Sequence, residues 1–287
     1  MGGTISAAET SAAANAADWL LACRNATTRI GAMLAEQPVA ERRMETGTLG
    51  SGGDHTLVID AAAEAIVFEE LQTLHDAGHR FHAISEERGE VEFGDSDVRV
   101  VIDPIDGSLN AKRGLPHFAL SIAVATGVTM ADVSFGYVYE FGPHEEWWAR
   151  TGEGAFLNGE LLDRGIGEIR GRDGRLEVLG IESADPRYVR NAIDALQERA
   201  YRLRAHGALA SSLCQVAAAR FDALVSLRNC RAVDVAAAQL IVREAGGYVS
   251  FPGFDEPLAA PLDVVPHSPV VAARTGGTLA ELETIVV

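Results

Sequence analysis

The sequence predicts a mixed protein, α+β in its first half and α/β in its second, organised as two subdomains of one unit over residues 1–287. Three observations carry that expectation. The β-branched run Val98 to Ile102 stops at Asp103-Pro104 and reads as a buried strand before a forced turn. Two further apolar runs, Phe118 to Ala125 and Phe135 to Phe141, follow at the spacing of an antiparallel meander. Beyond a glycine-broken, charged stretch from Arg164 to Arg175, strand-like and helix-like segments alternate. The subdomain boundary is therefore expected near that stretch, with approximate spans 1–165 and 166–287.

The elements follow in order. An alanine-rich stripe from about Ala12 to Glu36, with Trp19, Leu20, Cys23, Ile30, Met33 and Leu34, predicts a packing helix that Gln37-Pro38 ends. Val39 to His55 is polar and glycine-rich and reads as a surface loop. His55 to Asp60 leads into a helix from Ala61 to Leu71, with Asp60 placed to cap it. Phe81 to Ser85 is a short strand running into Glu86 and Glu87. Glu146 to Arg150 and Gly154 to Leu157 suggest a hairpin whose tryptophans pack rather than react. In the second half, Leu176 to Ile181 reads as a strand and Pro186 to Ala205 as a helix. Another helix follows Leu209, and Phe221 to Leu227 is a strand. Asp234 caps an alanine-rich helix closed by Gly246-Gly247, and a strand, a turn region and a terminal helix finish the chain.

Composition narrows the function. Hydrophobic content of 47% and charged content of 23% are those of a globular protein that can bury a large core. No apolar run reaches membrane-spanning length, and the N-terminus lacks a basic region followed by an apolar one, so a cytoplasmic protein without membrane partners is expected. Cys23, Cys214 and Cys230 have no metal-ligand spacing, and their odd number argues against a disulfide framework. A net charge of −17 disfavours nucleic acid as a partner.

The chemistry gathers around Asp103-Pro104-Ile105-Asp106-Gly107-Ser108. Pro104 pushes Asp103 towards extended geometry at the strand's mouth, and a tight turn can bring Asp106 back beside it. Two carboxylates so close repel unless a proton or a metal intervenes, and a hard cation such as Mg²⁺ suits oxygen donors. Gly107-Ser108 offers backbone N–H groups for a phosphate. Lys112 and Arg113 add cations beside it. Taken singly, each dipeptide is also an ordinary turn, Asp60 an ordinary cap, and Glu86-Glu87 an ordinary solvated pair.

The string as a whole resembles the D-P-[IL]-D-G-[ST] signature of the inositol monophosphatase-like family, the magnesium-dependent, lithium-sensitive phosphatases that also include fructose-1,6-bisphosphatases. Ser85-Glu86-Glu87 resembles that family's [GS]-E-E element, and Asp234 to Gly247 resembles its D-x-A-A…E-A-G-G segment. The resemblance covers nearly the whole chain and implies a layered αβαβα sandwich of the sugar-phosphatase type, with the metal site between the subdomains. It implies that Glu86, Asp103, the Ile105 carbonyl, Asp106 and Asp234 hold two or three Mg²⁺ ions, with Mn²⁺ as a substitute. Asp60 and Ser108 then orient the attacking water, with Glu87 assisting. Asp106, Gly107, Ser108, Asn110, Arg204 and Gly207 bind the substrate phosphate and its neighbourhood. Losing Asp106 or Asp234 is expected to stop turnover without unfolding the chain. Ala208 stands where the family usually has a hydroxyl, Val233 where it often has tryptophan, and Leu227 near the acid of inositol-specific members. The implied reaction is direct hydrolysis of a small polyol or sugar phosphate, inositol 1-phosphate first, with fructose 1,6-bisphosphate as the alternative. A homodimer is the family's common state. The reading from another class is a non-catalytic metal-binding or oligomeric protein on the same fold.

Overall fold

The computed structural model describes residues 7–38, 42, 44–51 and 55–286. Helix α1 (Ala7–Glu36) is followed by a hairpin of β1 (Glu45–Leu49) and β2 (His55–Leu57), then by α2 (Val58–Asp76). Strands β3 (Phe81–Ser85), β4 (Gly89–Phe93) and β5 (Arg99–Asp106) lead to the short α3 (Ser108–Arg113). The meander comprises β6 (Ala119–Ala125), β7 (Val133–Glu140), β8 (Glu145–Arg150), β9 (Gly154–Leu157) and β10 (Glu160–Leu161). Then come β11 (Leu176–Glu182), α4 (Pro186–Arg199), β12 (Ala200–Arg204), α5 (Leu209–Ala217), β13 (Ala223–Ser226) and α6 (Ala232–Glu244). Strands β14 (Tyr248–Ser250) and β15 (Val271–Ala273) and helix α7 (Gly276–Glu283) close the chain.

Two sheets organise these elements. The larger has the order β10-β9-β8-β7-β6-β5-β3-β4 and is antiparallel except where β3 runs parallel to β5. The smaller has the order β12-β11-β13-β15-β14, with β11 parallel to both neighbours. Alternation along each strand decides what covers each face. On β6, Leu120, Ile122 and Val124 join Ile30 and Leu34 of α1 and Val67 and Leu71 of α2 in one core. Ala119, Ala123 and Ala125 face the opposite way, into a core shared with Leu213 of α5, Leu240 of α6 and Leu224 of β13. A third core sets Ala223, Val225 and Val271 against Leu196 of α4 and Leu282 of α7. The result is helix pair, sheet, helix pair, sheet, helix pair, which is the layered sandwich that the resemblance implied.

Small residues in the middle layer let α6 approach the larger sheet. A Cβ on Gly136 of β7 would lie 2.5 Å from the Ala237 carbonyl of α6, so only glycine fits there. Burying a side chain such as Ile102, which is fully enclosed, contributes about 1.5–3 kcal/mol. The tryptophan expectation holds for Trp147, which is buried in the middle-layer core. The cysteines are free thiols, two of them buried. No described helix is long and apolar enough to cross a membrane.

Several boundaries differ from the sequence reading, each for a local reason. The strand at Val98 does not stop at Asp103-Pro104 but runs to Asp106. Asp103 pairs with Ser121 and Asp106 with Ala119, so three steps on β5 face two on β6. That extra residue is a β-bulge, which absorbs the proline instead of ending the strand. The expected loop from Val39 to His55 contains the β1–β2 hairpin; residues 39–41, 43 and 52–54 of that loop lie outside the described residues. The helix from Pro186 ends at Arg199, and Ala200–Arg204, expected as helix, is an edge strand beside β11. Neither Asp60 nor Asp234 is an N-cap. Both occupy the third helical position, and each carboxylate accepts the N–H of the true cap, Leu57 at 3.3 Å and Arg231 at 2.9 Å.

Candidate active site

The bulge in β5 builds the centre of the site. Asp103 Oδ1 accepts the Ile105 N–H at 3.0 Å, closing a small ring across Pro104 that fixes the first carboxylate. Gly107 follows in left-handed geometry at φ 86° and turns the chain into α3. A Cβ there would meet Ala208 Cβ at 2.9 Å and the His117 carbonyl at 2.9 Å. Glycine is thus required twice, for its dihedral and for its size. Asp106, just before that turn, lies against the start of α5. There its carboxylate accepts the N–H groups of Leu209 at 3.0 Å, Ala210 at 2.8 Å and Ser211 at 3.4 Å. These are amides that a helix start leaves without intrahelical partners. Asp103 and Asp106 line one cavity, and the charge of Asp106 helps to raise Asp103.

The remaining acids enter from three other elements. Glu86 and Glu87 sit on the β3–β4 turn, Asp60 in the first turn of α2 and Asp234 in the first turn of α6. Together with Asp103, Ile105, Asp106, Gly107 and Ser108 they line one cavity of about 470 Å³. A larger cavity of about 620 Å³ beside Trp19 has a single carboxylate in its wall, Glu153, so the acidic chemistry belongs to the smaller one. The β3–β4 turn is pinned from below. Buried Glu64 of α2 accepts the Arg88 N–H at 3.1 Å and the Arg88 Nε at 2.9 Å, and also the Ser85 hydroxyl. Thr56 donates to Glu87. Ser108 Oγ lies 2.9 Å from Asp60 Oδ1 and 2.9 Å from the Ile105 carbonyl, tying α3 to α2 across the cavity mouth.

Burial and mutual repulsion set the charge state. Desolvation pushes Asp60 up to about 7, with Ser108 working against it and Glu87 with it. Glu86 is also pushed up to about 7, mainly by burial, while Arg231 pulls it down and Asp234 pushes it up. Asp103 and Asp106 are held well above the usual carboxylate range by burial and then by the neighbouring acids. Such acids sit close to one another at neutral pH only if protons or cations share the space. The donor set is all oxygen, without histidine or thiolate, and suits a hard divalent ion. Among the described residues, however, no three acids are drawn into a closed ligand cage. Arg231 stands between two of them, with Nη1 2.7 Å from Glu86 and Nη2 2.9 Å from Asp234.

Three residues expected at the substrate lie outside the cavity wall. Asn110 is buried, and its amide nitrogen donates to the carbonyls of His117 at 2.6 Å and His206 at 2.7 Å. It therefore fastens α3 to the segment before α5. Gly207 belongs to that segment, whose other side is held by Glu182: the His206 and Gly207 N–H groups donate to it at 3.0 and 3.1 Å. Arg204 is exposed on β12, with a guanidinium nitrogen 2.9 Å from the Leu203 carbonyl. Conversely, the sequence reading gave no site role to Arg231, Glu45 or Leu57, all of which line the cavity. Of the two cations after the motif, Lys112 lines it, whereas Arg113 does not. Arg231 carried a usable signal, since it stands three residues before a helix-opening acid.

The sequence profile of the inositol monophosphatase family matches residues 17–285. The chain belongs to that family. It is a phosphatase. A fructose-1,6-bisphosphatase/inositol-1-monophosphatase of Thermococcus kodakarensis is 37% identical over 199 residues, covering 69% of this chain and 70% of the relative. The protein named Nus factor SuhB of Escherichia coli is 36% identical over 229 residues, covering 78% and 82%. Among solved structures, an inositol monophosphatase-fructose 1,6-bisphosphatase superposes with a TM-score of 0.79 at 25% identity, covering 93% of this phosphatase and 99% of that chain. The extragenic suppressor protein suhB of Bartonella henselae gives a TM-score of 0.73 at 27% identity, covering 93% and 97%.

Proposed function

We propose that this phosphatase is a Mg²⁺-dependent phosphomonoesterase of small polyol or sugar phosphates, with inositol 1-phosphate as its first substrate, working as one catalytic unit over residues 1–287. The observation that carries the reading is the Ser108–Asp60 contact of 2.9 Å on the rim of a cavity walled by Glu86, Asp103, Asp106 and Asp234. Those four carboxylates and the Ile105 carbonyl are the donors for two or three Mg²⁺ ions, with Mn²⁺ able to substitute. Bound there, the ions supply positive charge for the phosphate and make water a better nucleophile at neutral pH. Ser108 Oγ donates its hydrogen bond to Asp60 and keeps a lone pair to accept one from a water. Asp60 is placed to take that water's proton through Ser108. Glu87, oriented by Thr56, stands behind as a supporting base. The amides of Gly107 and Ser108 offer donors for phosphate oxygens. Asn110 and Gly207 are assigned to the substrate end of the site through the segment that Asn110 holds, and Arg204, at the end of β12 just before that segment, is assigned there with them.

Fructose 1,6-bisphosphate is the second reading. It is favoured by the double name of the Thermococcus relative and of one from Methanothermobacter thermautotrophicus at 34% identity. A cytoplasmic homodimer without nucleic-acid or membrane partners completes the proposal. The test is phosphate release in Mg²⁺, with and without millimolar Li⁺, from inositol 1-phosphate, fructose 1,6-bisphosphate and 3′-phosphoadenosine 5′-phosphate. Mg²⁺-dependent, Li⁺-inhibited release from inositol 1-phosphate supports the first reading, and preference for the bisphosphate supports the second. Release that ignores Mg²⁺ overturns both.

A further inference from the structure

We infer that Arg231 is a built-in counter-cation of the acid cavity, which neutralises Glu86 and Asp234 and competes with divalent metal for both. The inference rests on the reading of this cavity as a metal site and deepens it. The guanidinium spans the two carboxylates, at 2.7 Å from Glu86 and 2.9 Å from Asp234. Nε adds a longer contact of 3.3 Å to Asp234. All three side chains are largely enclosed, with relative exposures of 17% for Arg231, 14% for Glu86 and 15% for Asp234. The two acids come from different layers of the fold, one from the β3–β4 turn and one from α6. Their approach is unfavourable without a positive charge between them.

Arginine suits that task because its fork reaches two carboxylates at once and keeps its charge at any working pH. A divalent ion entering here must displace the guanidinium from Glu86 and Asp234, or bind beside a fixed positive charge. Either way the metal affinity is lower than the acids alone would give. A plain structural ion pair makes the opposite prediction. Removing its arginine would disorder the ligands and weaken metal binding.

The test is calorimetric titration with Mg²⁺ alone, and thermal melting with EDTA or Mg²⁺, on the wild-type chain, Arg231→Gln and Arg231→Lys. Arg231→Gln should bind Mg²⁺ about tenfold more tightly, since a neighbouring positive charge is gone. It should also melt lower in EDTA, since two enclosed carboxylates lose their partner, with Mg²⁺ restoring most of the loss. Arg231→Lys, whose ammonium bridges two acids less well, should fall between wild type and Gln in affinity, and it carries the test if Arg231→Gln does not fold. Unchanged or weaker Mg²⁺ binding by the variants overturns the inference while leaving the metal site standing. A wild-type chain that binds no Mg²⁺ overturns the metal site itself.

Discussion

Ser108 has one proton and two acceptors within 2.9 Å, Asp60 and the Ile105 carbonyl, and in the proposed function the bond to Asp60 is what links a water to a base. Replacing Ser108 with alanine removes that link while leaving the backbone turn at Gly107 untouched. Turnover should fall by about 10²-fold, the lower end for loss of a positioned proton-transfer partner. The melting temperature should barely move, because the hydroxyl sits at the cavity rim rather than in a core. Ser108→Thr keeps the hydroxyl and should keep most of the rate. Steady-state kinetics with saturating Mg²⁺ decide it: an alanine variant within a factor of two of wild type removes Ser108 from the mechanism. Asp106 needs a revised expectation. Its carboxylate accepts N–H groups from Leu209 and Ala210 at the start of α5. Asp106→Asn puts an amide donor against those donors and should cost about 1–2 kcal/mol of stability as well as activity. Urea melts of Asp106→Asn beside Asp234→Asn check this. Equal stability of Asp106→Asn and wild type would show that the α5 contacts carry no load.

At the scale of elements, α6 is the part on which the site depends most, since it carries Asp234 and packs directly on β7. Gly136 is where that packing is tightest, with 2.5 Å between a hypothetical Cβ and the Ala237 carbonyl. Gly136→Ala must push the helix or the strand aside and should destabilise the protein by about 1–3 kcal/mol, the usual cost of overpacking. Because the displaced helix carries Asp234, the same variant should also weaken Mg²⁺ binding in a titration, whereas a purely local strain would leave it unchanged. The sequence made this helix legible through its acid, its alanines and the closing glycines, but it misplaced the helix start. As sequence, Asp60 and Asp234 both read as caps, and both lie three positions inside. An acid at the third position reaches back to the cap N–H and produces the same sequence signature as an acid at the cap. The bulge at Asp103–Asp106 was illegible for a related reason. Asp-Pro ordinarily ends a strand, and only the pairing with β6 shows that this one continues. The acids of the cavity were readable from motif order; of Arg231, only the pairing with Asp234 three residues on was readable, because its contact with Glu86 exists only once the β3–β4 turn meets α6.

Across the whole molecule the acids raise a stability question that no single site answers. Asp60, Glu86 and Glu140 are pushed up to about 7, and Asp103 and Asp106 are held high as well, burial being the first cause in every case. In the unfolded chain these groups ionise near pH 4. Between the two values the folded protein holds protons that the unfolded chain has released. Their contribution to stability is therefore complete below about pH 4 and is lost as pH rises through about 7. With EDTA present, the melting temperature should fall between about pH 5 and pH 8. In the proposed function Mg²⁺ binds the ionised acids of the cavity; the rise in melting temperature that it causes should then grow over the same range, and protons should be released on binding. Glu140 lies outside that cavity, hydrogen-bonded to Gln215 at 2.9 Å, so its share of the decline should persist with the metal bound. Glu140→Gln, which removes only that share, should flatten the residual slope in Mg²⁺ and leave the metal-dependent part intact. Melting curves across this pH range, with EDTA or Mg²⁺, for wild type and Glu140→Gln decide the matter. A metal-induced rise that is constant with pH would mean that the cavity acids are already ionised without metal, and that Arg231 alone compensates their charge.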